Sequence, residues 1–117
     1  MDDRQQFEAI FAVVRAIPAG RVMSYGQVGD EAGGVSARIA GWAMANAVEG
    51  GDVPWQRVVG SDGYLRIGRR SVALQDAQRK LLEREGVTFL ENGCVDMARH
   101  QAGRPGAEIG RLDLAWE

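Results

Sequence analysis

Phe7, Ile10, Phe11, Val13, Val14 and Ile17 recur at helical spacing, with Asp2 and Asp3 ahead of them where the helix dipole is positive. The pattern predicts a core-facing helix over residues 3 to 17, stopped by Pro18 and Gly20. Ser24 and Gln27 stand at the spacing of a capping box, so a short second helix should begin there and run to about Ala32. Gly33-Gly34 is a tight break, and Ser36 is placed to cap a third helix from Ala37 to about Val48. Two short helices joined by a glycine turn describe a helix-turn-helix.

The periodicity then changes. After the loop Glu49-Gly50-Gly51-Asp52, the stretch Val53 to Val59 is β-branched but interrupted by Pro54, which reads as a turn entering a short strand. Ser61-Asp62-Gly63 is a hairpin turn signal and Tyr64-Leu65-Arg66-Ile67 a returning strand, so residues 58 to 67 are expected to form a small wing. Ser71 should open a fourth helix reaching Glu85, with Val72, Leu74, Leu81 and Leu82 as its apolar positions and Gly86 as its stop. Val87 to Leu90 and Cys94 to Met97 are candidate paired strands. The fold class expected is therefore mainly α with a small β wing, a winged helix-turn-helix over residues 1 to 100. Residues 101 to 117, opening Gln101-Ala102-Gly103-Arg104-Pro105-Gly106, read as a loosely docked tail.

Composition narrows the function classes. At 117 residues the chain has room for one core, and 14 Lys plus Arg against 16 Asp plus Glu exclude a uniformly basic nucleic-acid coat. The charge is unevenly spread, however. Residues 34 to 70 hold Arg38, Arg57, Arg66, Arg69 and Arg70 against Glu49, Asp52 and Asp62, a local balance of +2, while each flank sums to −2. Any nucleic-acid footprint therefore belongs to the third helix and the wing. A single cysteine precludes an internal disulfide, no Cys/His spacing suits a metal, and no apolar run reaches the roughly 20 residues of a membrane helix. The acidic start MDDRQQFEAIF is unlike a signal peptide. A cytoplasmic monomer without cofactor or metal is expected, nucleoid-associated if bacterial.

The third helix is the candidate recognition element. Ala40, Ala43, Met44 and Ala47 follow the inward spacing, leaving Arg38, Gly41, Ala45 and Asn46 outside. Gly41 in mid-helix costs about 1 kcal/mol relative to Ala, which close approach of another backbone, protein or DNA, would explain. Arg38 in the first turn opposes the dipole by about 0.3–1 kcal/mol where exposed, as either a surface or a DNA-probing arginine. Cys94 reads as a small buried hydrophobe, and His100 as a surface residue at the tail.

Taken together, Val22-Met23-Ser24-Tyr25-Gly26-Gln27-Val28, then Ser36-Ala37-Arg38-Ile39-Ala40-Gly41-Trp42-Ala43-Met44, then Val53-Pro54-Trp55-Gln56-Arg57-Val58-Val59 and Ser61-Asp62-Gly63 resemble the DNA-binding domain of O6-alkylguanine-DNA alkyltransferases. The resemblance covers roughly residues 5 to 100. In that family the acceptor motif is Pro-Cys-His-Arg followed by Val or Ile; here it reads Pro54-Trp55-Gln56-Arg57-Val58. Tryptophan at the acceptor position marks the non-enzymatic alkyltransferase-like branch, whose usual motif retains the histidine that Gln56 replaces. Chemistry agrees independently: dealkylation needs an activated thiolate to attack a saturated carbon, and indole offers none.

The resemblance implies base flipping without chemistry. It assigns Tyr25 to rotating the 3′ phosphate of the target nucleotide, Arg38 to filling the vacated stack, and the helix capped by Ser36 to the minor groove, with Gly41 and Ala45 permitting close approach. It implies a lesion pocket shaped by Trp55, Gln56, Arg57, Val58, Val59 and Tyr64, with Arg69 or Arg70 touching the base. The partner implied is double-stranded DNA containing alkylated guanine, flagged for nucleotide excision repair proteins. The alternative is a winged-helix sequence-specific regulator without lesion preference.

Overall fold

The structure is a computed structural model that describes residues 2–103. The first helix, α1 (Asp3–Arg15), opens on Asp2, which forms a reciprocal capping box with Gln5. Met23–Ser24 form strand β1, and Ser24 caps α2 (Tyr25–Glu31) through the expected box with Gln27. Ser36 caps α3 (Ala37–Ala47), accepting the Ile39 amide at 3.2 Å. The turn between α2 and α3 depends on Gly29. Its carbonyl accepts both Gly34 N–H at 3.1 Å and Val35 N–H at 2.9 Å, and a Cβ at position 29 would collide with the Val35 carbonyl.

Trp55–Arg57 form one turn of 3-10 helix leading into β2 (Val58–Val59), which pairs with β1 in parallel, Met23 opposite Val58 and Ser24 opposite Val59. The strand expected over Tyr64 to Ile67 is not formed. The turn itself closes, with Gly63 N–H on the Gly60 carbonyl at 2.8 Å and Gly60 N–H on the Tyr64 carbonyl at 2.9 Å. Beyond it, Arg66–Arg69 coil into a 3-10 helix, closed by Gly68 N–H on the Leu65 carbonyl at 3.0 Å and Arg70 N–H on the Ile67 carbonyl at 2.9 Å, while Val95 N–H bonds the Gly63 carbonyl at 2.9 Å. The winged helix-turn-helix thus carries a wing of turn and 3-10 helix, and its small sheet is the parallel β1–β2 pair.

Ser71 caps α4 (Val72–Arg84). Its buried positions are Gln78 and Leu82, whereas Val72 is 76% exposed. Gln78 Nε2 donates to the carbonyls of Gln56 and Val58 at 3.0 and 3.1 Å, tying α4 to the 3-10 turn and β2. The terminal strand pair reduces to one antiparallel bridge, Phe89 with Val95, after which Met97–His100 form the short helix α5.

His100 is buried rather than on the surface. Its Nε2 accepts the Thr88 amide at 3.0 Å, and the tautomer this fixes directs Nδ1–H to the Gly20 carbonyl at 3.3 Å. Cys94 is half-buried. Packing continues past residue 100: Gln101 bridges Val22, and buried Ala102 donates its amide to the Val22 carbonyl at 2.7 Å. The rest of the tail, from 104 onward, lies outside the described residues.

Two cores meet at the β1–β2 ladder. Met23 and Val58 join Ile10, Val14, Val28, Ala40 and Met44 on one side, while Val22 and Val59 join Leu65, Leu82, Val87 and Val95 on the other. Alternation along a strand is what divides them. Replacing Gly29 with Ala should destabilise the fold by about 1–3 kcal/mol, as overpacking does, seen as a lower urea midpoint; an unchanged midpoint contradicts the close approach at Val35.

Candidate nucleic-acid interface

Residues that follow paired strand positions emerge together. Ser24 and Val59 are register partners, so Tyr25 and Gly26 leave β1 beside the point where Gly60 and Ser61 leave β2. These residues form the floor of an open cleft of about 680 Å³, walled by the first turns of α3 on one side and by the 3-10 helix Arg66–Arg69 on the other. Arg38, Arg66, Arg69 and Arg70 all line it, with no carboxylate in the lining. The +2 segment of the sequence therefore becomes a concave positive surface, the arrangement that focuses a field on phosphate.

Tyr25, the first residue of α2, lines this cleft and packs against the first core. Burial pushes its hydroxyl above the ordinary tyrosine value, and the nearby Arg66 charge opposes that only in part. It stays a neutral donor at physiological pH. Arg38 is exposed and rests its guanidinium 4.9 Å from the Trp42 ring centroid one turn later. Gly41 also faces the cleft, and a Cβ there would meet nothing within 4 Å. Tight protein packing therefore does not account for this glycine. Ala45 is half-buried further along α3, and Ser36 serves as its N-cap.

The residues expected to share a lesion pocket are distributed differently. Trp55, Gln56 and Arg57 line a second depression with Arg15 and Leu81. Val58 and Val59 are sealed, one in each core, at 1% and 0% exposure. Tyr64 is half-buried and carries Arg69 over its ring at 5.8 Å, whereas Arg66 and Arg70 line the cleft without stacking on that ring.

Arg57 faces inward. Its Nε and Nη2 each donate to Glu85 at 3.0 Å, on Oε1 and Oε2, while Nη1 donates to the Ile17 carbonyl at 2.8 Å. The two side chains are only 18% and 15% exposed. Gln56 Nε2 adds a 2.8 Å bond to Glu85, and Gly20 N–H one at 3.4 Å. Burial pushes the Glu85 carboxyl up, but hydrogen bonds from Arg57, Gln56 and Gly20, together with the Arg57 charge, outweigh it and hold the group below the usual glutamate range. Sequence reasoning gave no role to Glu85 or Trp42 and counted Arg66 only in the charge of the basic segment. A carboxylate capping the negative end of α4 was one available sign that Glu85 has a cation elsewhere.

Residues 5–87 match the family described as 6-O-methylguanine DNA methyltransferase, DNA binding domain. The chain belongs to the alkyltransferase-like branch of that family. A DNA base-flipping protein of Vibrio parahaemolyticus serotype O3:K6 is 37% identical over 93 residues, spanning 79% of this chain and 90% of that protein. Alkyltransferase-like protein 1 of Schizosaccharomyces pombe is 35% identical over 87 residues, 73% of this chain and 79% of its own. The crystal structure of S. pombe Atl1 in complex with damaged DNA containing O6-carboxymethylguanine superposes with a TM-score of 0.76 at 28% identity, covering 90% of this chain and 100% of that one. Among the described residues of the alkyltransferase-like chain, no three His, Cys, Asp or Glu cluster to hold a metal ion, and no helix is long and apolar enough to cross a membrane.

Because the folded Glu85 carboxyl lies below its unfolded value of about 4.3, its stabilisation is complete above that pH and is lost as pH falls through the lower folded value. Glu85→Gln should cost about 3 kcal/mol at neutral pH by stranding Arg57. Denaturant titrations from pH 7 to 3 should show the variant losing less stability in acid than the natural chain; parallel curves contradict the pairing.

Proposed function

We propose that the chain is a sensor of alkylated guanine: it binds O6-alkylguanine in duplex DNA, holds the nucleotide outside the helix and leaves the alkyl group in place. The observation that carries this reading is that Tyr25 and Arg38 line one arginine-walled cleft at the mouth of the helix-turn-helix. Tyr25 displaces the 3′ phosphate and Arg38 fills the gap in the stack. Extrahelical capture costs a few kcal/mol, less for a base that pairs poorly, and that difference selects for damage.

The absence of transfer chemistry follows from the acceptor motif. Trp55 has no nucleophile to offer a saturated carbon, and Gln56, an amide donating to Glu85, cannot serve as a base. Trp55 and Gln56 line a depression distinct from the arginine-walled cleft, with the Gln56 amide committed to Glu85, so in this reading they supply no reacting group to the captured base. Gly41 and Ala45 give α3 the slim face that a minor-groove approach requires. In this reading the protein acts as a cytoplasmic monomer and passes the marked lesion to nucleotide excision repair.

A sequence-specific regulator built on the same scaffold is less favoured. Two relatives bear the names DNA base-flipping protein and alkyltransferase-like protein, and a regulator has no use for the Pro54-Trp55-Gln56-Arg57-Val58 motif. Competition between an O6-methylguanine duplex and its unmodified counterpart should favour the lesion. Arg38→Ala should weaken lesion binding by about tenfold, one step of roughly 1.4 kcal/mol. Incubation with a lesion labelled on its alkyl group should leave the protein unlabelled, Cys94 included. Equal affinity for the two duplexes would sink the sensor reading, and label on Cys94 would show a transferase.

A further inference from the structure

Three large hydrophobic side chains stand exposed among the described residues: Trp42, Val72 and Leu90. Val72 opens α4 and Leu90 lies in a turn, but Trp42 sits 47% exposed on α3, inside the cleft lined by Arg38, Arg66, Arg69 and Arg70. Its neighbours on the outer face are slight. Gly41 has open space where a Cβ would be, and Asn46 turns back to donate to the Trp42 carbonyl at 2.9 Å. The indole is therefore the bulkiest apolar group on the open side of the helix, and it stands among arginines suited to phosphate.

Its one close polar partner is Arg38, whose guanidinium lies 4.9 Å from the ring centroid. Arg38 makes no ion pair among the described residues, so the indole face is what holds it. An arginine that enters a base stack must leave that face, which exposes the ring at the moment the duplex arrives. Aromatic rings stack on bases and sugars irrespective of sequence, and apolar wedges on the minor-groove side assist unstacking. A cleft lined by four arginines and one exposed indole complements a nucleic-acid duplex.

We infer that Trp42 is a second DNA-contacting residue of α3: it parks Arg38 in the free protein and, once Arg38 enters the duplex, packs against the nucleotides beside the lesion. This rests on the reading of Arg38 as the residue that replaces the flipped base. The ring, more than its contact with Arg38, supplies the affinity. Removing it therefore weakens binding even where Arg38 is already gone.

Anisotropy titrations with labelled O6-methylguanine and unmodified duplexes test this, using Trp42→Ala, Trp42→Gln, Trp42→Phe and each change in an Arg38→Ala background. Ala and Gln should weaken binding of the lesion duplex about tenfold, Phe should retain most of the affinity, and Trp42→Ala should still weaken the Arg38→Ala protein. Trp42 is exposed, so the variants should keep the helical circular dichroism of the natural chain, and the Phe variant controls for any loss in the others. Unchanged or tighter binding by Trp42→Ala, or no further loss in the Arg38→Ala background, overturns the role of Trp42. If lesion preference and Arg38 dependence persist in that case, the flipping reading stands. Equal affinity of the natural chain for both duplexes overturns both.

Discussion

The pairing of Ser24 with Val59 is the constraint from which the rest follows. Two parallel strands of two residues each contribute few hydrogen bonds, yet their register decides which residues leave the sheet side by side. Tyr25 starts α2 one residue after the ladder ends, and Gly60 begins the wing one residue after its partner ends. A shift of one position would turn one strand over, sending Met23 or Val58 into the wrong core, and would swing Tyr25 away from the wing arginines. The ladder is secured from both sides by complementary means. Ile10, Val14, Val28 and Met44 hold one face and Leu65, Leu82 and Val95 the other, while Gln78 clamps the Gln56 carbonyl ahead of β2 and the Val58 carbonyl within it.

Behind the ladder, the Arg57–Glu85 pair does for the acceptor motif what the strands do for the cleft. It joins the end of α1, through the Ile17 carbonyl, to the 3-10 turn and to the end of α4. In a chain of net charge −2 this inward pairing removes one arginine from the surface, leaving the four of the cleft to define its sign. The protein thus carries acidic flanks that resist indiscriminate attachment to DNA and a local positive concavity that admits it.

The helices were legible because their signals are local. Asp2, Ser24, Ser36 and Ser71 each sit directly ahead of an apolar period, and the helices they cap begin where the caps place them. The wing was legible only as far as its turn. Tyr64-Leu65-Arg66-Ile67 alternates like a strand, but its Leu65 and Ile67 carbonyls accept the Gly68 and Arg70 amides of the 3-10 turn instead of pairing with a strand. Glu85 and Gln78 were invisible because their side-chain and carbonyl partners in the acceptor motif lie 20 to 29 residues away, and a polar residue in a helix gives no sign of which face it occupies until the neighbouring turn is in place. At the site, Tyr25, Arg38 and Gly41 came from motif order. Trp42 stands inside the same motif, but its exposure is fixed only by how α3 packs on its neighbours.

In the proposed function, binding ejects the damaged base while Arg38 takes its place in the stack. A fluorescent cytosine analogue opposite O6-methylguanine reports loss of its partner directly. Saturating protein should raise its emission, and the rise should be smaller with Arg38→Ala. Emission unchanged at saturation would mean that the lesion stays paired, and would contradict the account.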